Sequence, residues 1–405
     1  MPEVTILQVV PRLDAGGSEQ AAVEIAQALT RAGASALVAT EGGRMATALT
    51  EAGGEIVLLP MASKNPLAML ANARRLARLI EERGVDLVHA RSRAPAWSAL
   101  LAARRTGRPF VTTYHGAYGS PGPLKSAYNS VMARGDRVIA NSHYTAGLIA
   151  SRHHVATERI RTIYRGVDLA RFSPETVSED RLARLRAAWE VRKEQPVVLQ
   201  AARLTSWKGQ SVVIEAARQL RNEDRLGNAV IVMAGDAQGR EAYRKELDRL
   251  IATSGLAGRV KLVGHCDDMP AAFALAHVAV IASTSAEAFG RTSIEAQAMG
   301  CPVIASDIGA VPETILAASR GEHAYTGWVV PCDDPHPIAA RLAEALALSP
   351  QDRAAIAARG RRHVASKFTL AEMQRATLAV YDELLGTRLA AAFDEHVAKG
   401  PPRGA

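Results

Sequence analysis

Two glutamates in the second half of the chain have a spacing that could serve a ligand. Glu287 and Glu295 lie eight positions apart in the stretch EAFGRTSIEAQAMG, with Phe289-Gly290 between them. The residues Gly290-Arg291-Thr292 lead into a predicted helix, whose free N–H groups could bind a phosphate while the carboxylates accept hydrogen bonds from hydroxyls. Each glutamate also has a structural alternative, because Thr292-x-x-Glu295 matches a capping box and Glu287 could be a solvated loop residue.

Two cations follow the predicted strand VVLQAARL (197–204). Arg203 is near its end, and Lys208 comes five residues later, directly before Gly209. Arginine binds phosphate oxygens through two N–H groups and lysine supplies a point charge, so this pair suits a pyrophosphate. The alternative is a solvated arginine and lysine on a surface turn.

The first half of the chain offers two further candidates. Gly16-Gly17 follows the first predicted strand and precedes a helix, and adjacent glycines let the backbone approach a ligand closely. His115 follows the predicted strand FVTTYH, where it could hydrogen-bond a substrate or handle a proton. A plain strand–helix turn and a structural histidine are the respective alternatives.

Short β-rich runs alternate with amphipathic helical stretches along the whole chain. The predicted strands of the first half cover residues 4–10, 35–40, 55–60, 85–90, 110–115 and 136–141. Those of the second half cover 197–204, 229–236, 259–265, 277–283, 302–307 and 327–331. Because these runs lack clear alternation and are separated by helices, they predict two parallel sheets covered on both faces.

The polar segment 172–180 and the charged segment 190–196 separate the two series of strands. A chain of 405 residues is long enough for two domains, so we predict an α/β protein with two doubly wound units. Ligands of such sheets bind beyond the carboxyl ends of the strands, and the cleft between the two domains is the expected site.

The chain has a net charge of +8, which favours anionic partners. Residues 64–108 hold ten Lys and Arg against three Asp and Glu, a local excess of ten minus three, or +7. Within this window, residues 65–84 predict an amphipathic helix with arginines alongside leucines. It is either an ordinary surface helix or a face that rests on anionic lipid.

Cys266, Cys301 and Cys332 form no CxxC pair, which fits a reducing cytosol. The N-terminus shows no signal peptide and no run of 18 apolar residues occurs, so we expect a cytoplasmic protein without a membrane span. The acidic pairs Asp267-Asp268 and Asp333-Asp334 are adjacent rather than spaced as D-x-D. We interpret them as loop residues or helix caps and predict no metal site.

The order and spacing of these features resemble glycosyltransferase family 4, the retaining nucleotide-sugar transferases with the GT-B fold. The resemblance covers nearly the whole chain. It is carried by GGSEQAAVEIAQAL, DRVIANSHYTAGLI, IYRGVDLARFSP, ARLTSWKGQSVVIEA, VIVMAGD and EAFGRTSIEAQAMGCPVIASDIGAVPETI, the last of which contains the E-x7-E element of the family.

This resemblance implies two Rossmann-like domains that face each other across a cleft. We expect an acceptor-side domain over 1–190 and a nucleotide-sugar-binding domain over 191–365. A C-terminal helix over 366–390 would cross back to the first domain, and 391–405 would be a disordered tail.

The resemblance also implies roles for the candidate residues. Arg203 and Lys208 would bind the diphosphate, and Glu295 would bind the ribose. Glu287 would approach the donor sugar, and amides from Phe289 through Gly290 and Arg291 to Thr292 would add phosphate contacts. Gly16 and Gly17 would approach the donor phosphate, and His115 would lie beside the reacting sugar.

Members of the family retain anomeric configuration, commonly explained by same-face attack through an oxocarbenium-like ion pair. The departing diphosphate could then accept the proton of the acceptor, and stabilising that leaving group would be the main work of the enzyme. The nucleotide sugar is a co-substrate, and we expect no cofactor and no required metal.

The resemblance leaves the acceptor and the donor open. UDP-sugars are the first expectation and GDP-mannose is the rival. The expected acceptor is a cell-envelope glycan or a lipid-linked one, such as lipopolysaccharide or exopolysaccharide, at the inner face of the membrane. Lys125, in the Gly/Pro segment 118–130, is a candidate for an acceptor-side lid. Arg165 stands where the family usually has Asn, and it could contact an acceptor, the donor phosphates or an acid.

Three other functions compete with this one. A nucleotide-sugar epimerase of the GT-B type would share the fold, but the E-x7-E context and the Arg203–Lys208 pair disfavour it. A non-enzymatic basic protein that binds membranes would need only the charge surplus, and no nucleic-acid motif is present. A dinucleotide-dependent dehydrogenase would need G-x-G-x-x-G after the first strand, which AGGSEQ does not supply.

Overall fold

The computed structural model describes residues 4–14, 16–116, 122–318 and 324–399 of the chain. It contains thirteen strands and fifteen α-helices within these ranges. The strands are β1 Thr5–Val9, β2 Ser35–Thr40, β3 Glu55–Leu58, β4 Leu87–Ala90, β5 Phe110–Tyr114, β6 Arg137–Ala140, β7 Ile160–Thr162, β8 Val197–Ala201, β9 Val230–Ala234, β10 Val260–Gly264, β11 Val278–Ile281, β12 Val303–Ser306 and β13 Gly327–Val330.

The helices occupy most of the connections between these strands. They are α1 Gly17–Arg31, α2 Ala46–Glu51, α3 Pro66–Glu82, α4 Arg93–Thr106, α5 Pro123–Asn129, α6 His143–His153, α7 Glu179–Trp189, α8 Gln210–Asn222, α9 Glu241–Thr253, α10 Met269–Leu275, α11 Arg291–Ala298, α12 Pro335–Leu346, α13 Pro350–Lys367, α14 Leu370–Leu385 and α15 Leu389–Lys399. All twelve predicted strands are present, and β7 is the one that the sequence pattern did not predict.

The elements divide into two compact units. Unit 1 comprises Met1–Tyr164 and Leu370–Ala405, and unit 2 comprises Arg165–Thr369. The boundary between the units therefore lies between residues 164 and 165, upstream of the predicted position at 190–191. The segment 165–190 belongs to unit 2 because Phe172 and Trp189 are buried there and Arg181 of α7 pairs with Asp268, its Nη2 lying 2.5 Å from Oδ1.

Unit 1 is built on one parallel sheet in the order β3-β2-β1-β4-β5-β6-β7. The five inner strands are buried on both faces, as expected when helices connect parallel neighbours, and the edge strands β3 and β7 are more exposed. The order reverses between β1 and β4, and ligands of doubly wound folds bind at the carboxyl ends of strands at such a switch point.

Unit 2 repeats this arrangement with a parallel sheet in the order β10-β9-β8-β11-β12-β13. Its core includes Val198, Val280 and Ile304 from the strands and Trp328 from β13, all at most 2% exposed. The switch point lies between β8 and β11. These two sheets confirm the predicted fold class.

The end of the chain belongs to unit 1. Helix α14 packs on α1, and its Met373, Leu378 and Tyr381 join the core of that unit. The prediction of a disordered tail from residue 391 is wrong for 391–399. These residues continue α15, which is held because Phe393 is buried and because Asp382 accepts hydrogen bonds from the amides of Leu389 and Ala390. Residues 400–405 lie outside the described ranges.

Among the helices that the structure describes, none has both the length and the apolar character needed to cross a bilayer.

Candidate functional site

The candidate residues of unit 2 collect at its topological switch point. Arg203 and Lys208 follow β8, and Glu287 follows the neighbouring strand β11. Parallel neighbours end at the same edge of a sheet, so these side chains reach one edge although they are far apart in sequence.

The connection between β8 and α8 carries the two cations, and a tight turn holds the second. Ser206–Lys208 form one 3-10 turn, and Gly209 then adopts a left-handed φ of +70° before α8 begins. A Cβ at Gly209 would lie 1.9 Å from the carbonyl oxygen of Ala282, so this position requires glycine. The Lys208 carbonyl accepts a hydrogen bond from Gln200 at 2.8 Å, and Gln210 donates to the carbonyl of Arg203 at 2.9 Å. Two buried glutamines thus hold the backbone of both cations.

Lys208 and Glu287 form an ion pair with 2.8 Å between Nζ and Oε1, and their side chains are only 16% and 13% exposed. Ser283 donates a hydrogen bond to the same carboxylate oxygen. The Lys208 ammonium also lies over the Trp207 ring, 4.5 Å from its centroid. An ammonium has three N–H donors, so Lys208 can contact Glu287 and still donate to an anion.

The loop that carries Glu287 is fixed by its backbone. The Glu287 carbonyl accepts a hydrogen bond from Ala310 N at 3.0 Å, and Glu287 forms a bridge with Gly309. Gly309 has φ +68°, and a Cβ there would lie 2.6 Å from the Glu287 carbonyl oxygen. The stretch SDIGAVPE (306–313) therefore holds the backbone of the loop that carries the Glu287 carboxylate.

Helix α11 begins beside that loop. Gly290 precedes the helix with φ +103°, and Arg291 is its first residue. The predicted capping box is absent, because Thr292 is already the second helical residue and Gly290 occupies the cap position without a side chain. Glu295 instead pairs with Arg291 one turn earlier, at 3.3 Å between Oε1 and Nε. The first-turn amides of a helix lack intrahelical partners, so this end can receive an anion.

The remaining candidates of unit 2 differ in exposure. Arg203 is exposed, and its Nη1 donates to Gln238 Oε1 at 3.3 Å. Phe289 is 4% exposed, and its ring packs edge-to-face on Phe368. This contact anchors the loop between Glu287 and α11. Arg165, the first residue of unit 2, is 6% exposed.

The candidates of unit 1 lie at the carboxyl edge of the other sheet. Gly16 precedes α1, and Gly17 is its first residue with no atom within 4 Å of an added Cβ. The Glu19 carboxylate lies at the same helix end, where a Cβ on Gly16 would be 2.5 Å from its Oε2. His115 directly follows β5 and is half-buried. The sheet order puts β4 between the strands that precede these two candidates.

The proposed acceptor-side lid falls partly outside the described residues, since 117–121 are not among them. Lys125 is described and is exposed on α5.

In the ranges that the structure describes, no group of three or more His, Cys, Asp and Glu side chains could hold a metal ion. The acidic pairs contribute helix caps, as interpreted. Asp268 accepts from the Ala271 amide at the start of α10, and Asp334 accepts from the His336 amide at the start of α12. The Arg181 guanidinium holds the pKa of the Asp268 carboxyl below its usual value.

The sequence patterns missed Ser283, Gln200 and Gln210, which orient the ion pair and its turn. One signal was available, because Gln200 is a single polar residue inside the apolar run VVLQAA. A buried glutamine in a strand needs hydrogen-bond partners, and these mark the backbone that it holds.

Comparison with known proteins gives two family matches along the chain. Residues 15–171 match Glycosyltransferase Family 4, and residues 183–363 match Glycosyl transferases group 1. The D-inositol 3-phosphate glycosyltransferase of Jonesia denitrificans is 30% identical over 324 residues, which is 76% of this chain and 73% of that protein. The enzyme of the same name from Xylanimonas cellulosilytica is 28% identical over 397 residues, covering 91% and 92% of the two chains.

Solved structures agree with this match. A glycosyltransferase from Rickettsia africae has a TM-score of 0.86 at 32% identity and covers 95% of this chain and 99% of its own. Anabaena Alr3699/HepE in complex with UDP-glucose has a TM-score of 0.81 at 25% identity, covering 94% and 100%. WaaG, a glycosyltransferase involved in lipopolysaccharide biosynthesis, shares the fold, with a TM-score of 0.72 at 17% identity and coverage of 94% and 100%. The chain therefore belongs to the group 1 glycosyltransferases with the GT-B fold.

Proposed function

We propose that unit 2 binds a nucleoside-diphosphate sugar, with a UDP-sugar as the first candidate and GDP-mannose as the second. The observation that carries this proposal is the Lys208–Glu287 ion pair at the switch point of the sheet. Arg203 lies in the same connection between β8 and α8, and the amino end of α11 follows Glu287 in the connection after β11. Cations and free amides suit a diphosphate, and a carboxylate suits the hydroxyls of a sugar. The structure of Anabaena HepE was solved in complex with UDP-glucose, which supports a UDP-sugar as the first candidate.

In this proposal each residue has a distinct task. Arg203 and Lys208 bind the diphosphate and stabilise the negative charge that develops on it as the glycosidic bond breaks. Glu287 accepts hydrogen bonds from the donor sugar, and Glu295 from the ribose. Gly16 and Gly17 offer backbone amides, and His115 acts in turnover beside the acceptor hydroxyl. The reaction proceeds with retention, and the leaving diphosphate takes the acceptor proton.

The turnover experiment uses the purified chain with UDP-glucose, UDP-N-acetylglucosamine and GDP-mannose, each with a lipid extract of bacterial envelopes and with inositol 3-phosphate. Mass spectrometry identifies the product, and proton NMR gives its anomeric configuration. Transfer with retention supports the proposal. Release of free sugar nucleotide isomers without an acceptor product would indicate an epimerase, and an inverted product would contradict the assigned mechanism.

For the acceptor we propose a lipid-linked or envelope glycan. The surface of unit 1 would contact the membrane that carries this acceptor. Five leucines of this region expose large apolar side chains: Leu58, Leu67, Leu70, Leu101 and Leu124, between 47% and 86%. On α3, Leu67 and Leu70 share one face with Arg74 and Arg78, because their spacings of three and four residues repeat the helical turn. Exposed leucines and arginines on one helix face suit the interface of an anionic membrane.

The basic window contributes less to such a surface than its sequence predicted. Arg91 is only 2% exposed and cannot contact lipid. Arg83 pairs with Glu55 and Arg104 with Asp136, so part of the positive charge is neutralised within the protein. Lys64, Arg74, Arg78 and Arg105 are exposed. The proposed surface is therefore the outer face of α3 rather than the whole window.

Co-sedimentation with vesicles tests this surface. Vesicles of phosphatidylcholine with phosphatidylglycerol should retain the wild-type protein at low salt, and Leu67→Ser with Leu70→Ser should weaken retention. Arg74→Glu should also weaken retention, because it reverses a charge on the proposed face of α3. Arg105→Glu, on the exposed side of α4, is its matched charge control. Equal retention of wild type and the leucine variant would contradict the proposal.

Inositol 3-phosphate is the second candidate acceptor. The names of the relatives from Jonesia and Xylanimonas favour it, and it is an anion that suits the basic character of the chain. Transfer to inositol 3-phosphate that does not depend on vesicles, with none to the lipid extract, would replace the lipid-linked acceptor by this one.

A further inference from the structure

One face of the sheet in unit 1 changes character along its strands. On the side covered by α1 and α14, the amino half is apolar, with Ile6, Leu87 and Val111. The carboxyl half is polar on the same side, with Gln8, His89 and Thr113 two residues further along each strand. These three polar side chains are 0–2% exposed. A polar cluster so deep in a core requires a hydrogen-bond partner for nearly every atom.

His89 lies at the centre of this cluster. Its Nδ1 is 2.7 Å from the Tyr381 hydroxyl, and its Nε2 is 2.7 Å from Thr113 Oγ1. The rings of His89 and Tyr381 meet edge-on with centroids 5.7 Å apart. Burial raises the pKa of Tyr381 to about 12, so the phenol keeps its proton at neutral pH. Both hydroxyls can donate or accept, so a neutral imidazole is satisfied at both nitrogens.

Arg91, the first residue after β4, completes the cluster. Its Nε donates to Gln8 Oε1 at 2.6 Å, and Gln8 in turn donates to the Ala22 carbonyl of α1 at 3.0 Å. Burial lowers the pKa of the guanidinium, while the neighbouring Tyr381 and Glu24 oppose that change. A buried cation destabilises a fold unless its partners are in place, and Tyr381 comes from α14.

We propose that Tyr381, His89 and Thr113 form a positioning relay through which the docking of α14 sets the place of His115. Thr113 lies two residues before His115, at the end of β5. The contacts therefore run from Tyr381 of α14 through His89 of β4 to Thr113 of β5, the strand that His115 directly follows. His89 and Tyr381 are positioning residues, and the inference rests on the proposed role of His115.

The neighbouring apolar residues argue against a purely structural cluster. Ile6, Leu87 and Val111 fill the same face without polar atoms, and apolar packing would be the simpler way to hold α14. On β1, β4 and β5 the buried polar side chains of this face lie on the half that adjoins the strand ends. Tyr381 and Thr113 contact both imidazole nitrogens of His89. Satisfied buried hydrogen bonds fix one geometry more firmly than apolar contacts do, which is what a residue in turnover requires.

The test compares variants that each remove one buried hydroxyl. Tyr381→Phe and Thr113→Val interrupt the relay. Thr377→Val and Thr112→Val are the matched controls, because Thr377 donates only to Met373 within its own helix and Thr112 donates to Met132. Thermal unfolding of all four variants gives a temperature at which each is fully folded.

At that temperature the relay variants should lose turnover roughly 10- to 100-fold, the scale of a misplaced reacting group, while nucleotide affinity stays within about twofold. The imidazole NMR signals of His115, assigned with His115→Asn, should shift in the relay variants and not in the controls. Unchanged turnover and unchanged His115 signals in folded Tyr381→Phe would overturn the inference, as would equal losses in the controls. If the wild type shows no transfer, the proposed function fails, and the NMR comparison still decides on the relay.

Discussion

Lys208 and Glu287 meet at 2.8 Å at the edge where β8 and β11 end, with both side chains largely shielded from water. Neither residue has its full set of partners in this pair alone, since the ammonium has further donors and the carboxylate further acceptor positions. A donor that brings phosphate oxygens to Lys208 and hydroxyls to Glu287 would therefore extend the pair rather than break it.

Replacing Lys208 by Met should weaken binding of the nucleoside diphosphate by about 1.5–3 kcal/mol, the scale of a lost charged hydrogen bond. It also leaves the Glu287 carboxylate without its cation, so the loop should lose stability. The double variant Lys208→Met with Glu287→Gln should restore stability without restoring affinity. Calorimetry and thermal unfolding measure the two effects. An affinity equal to that of the wild type in the single variant would remove Lys208 from the donor site.

Arg203→Ala should also weaken diphosphate binding, by about 1.5–3 kcal/mol. The side chain is exposed and holds Gln238 by one long hydrogen bond, so its removal should leave stability nearly unchanged. Arg225→Ala is the matched control, because Arg225 is another exposed arginine of unit 2 with a local partner, Glu223. The assignment of Arg203 would be wrong if both variants bound the nucleotide as tightly as the wild type.

Gly209→Ala should destabilise the protein by about 2–4 kcal/mol, more than a left-handed φ alone would cause. The added Cβ would collide with the carbonyl of Ala282, and the turn that carries Lys208 would have to shift. Gly227→Ala separates the two effects, since Gly227 has φ +53° but open space around it and should cost only about 1 kcal/mol. Urea unfolding gives both values, and equal values for the two variants would show that the close contact is not important.

His115→Ala should reduce turnover far more than nucleotide binding, by roughly 100-fold for a residue that positions or protonates a reacting group. Steady-state kinetics with saturating donor, together with calorimetry on the same sample, separate the two quantities. Parallel losses in both would make His115 a structural residue.

The docking of α14 should depend on pH through Glu383. This carboxylate accepts hydrogen bonds from Arg161 and Arg137, and they lower its pKa below the usual value. A carboxyl group with a lowered folded-state pKa stabilises the fold above its unfolded pKa and loses that contribution as pH falls through the folded value. Glu383→Gln should therefore be less stable than wild type at pH 7, and the difference should shrink in acid. Because these side chains are about one third exposed, the difference should be at most about 1 kcal/mol. A difference that is constant with pH would rule out the ion pair as its cause.

The sequence was sufficient for the two sheets and for placing Arg203, Lys208 and Glu287 after neighbouring strands, because both depend on local signals. Apolar runs of strand length marked all the strands except β7, whose three residues are too few for a pattern. The glycines and charged residues after β8 and β11 marked the candidate site, since the carboxyl ends of strands at a switch point are where such folds bind ligands.

What the sequence could not show depends on distant contacts. Arg91 looked like one more surface cation, but it is buried inside unit 1, where it interacts with Gln8 and Tyr381. His89 and Tyr381 are 292 positions apart, beyond the reach of any periodicity. The capping box at Thr292 failed because Gly290, at a left-handed φ, caps α11 two residues earlier than the motif assumes.

The most direct test of the donor site is calorimetric titration of the purified chain with UDP, GDP and ADP, followed by the same titrations on Arg203→Ala and Glu295→Ala. The proposal predicts that one nucleotide binds the wild type with a dissociation constant of about 1–100 micromolar and that both variants lose at least about tenfold of that affinity. No heat from any of the three nucleotides, or full affinity in both variants, would contradict a donor site built on the turn after β8 and on helix α11.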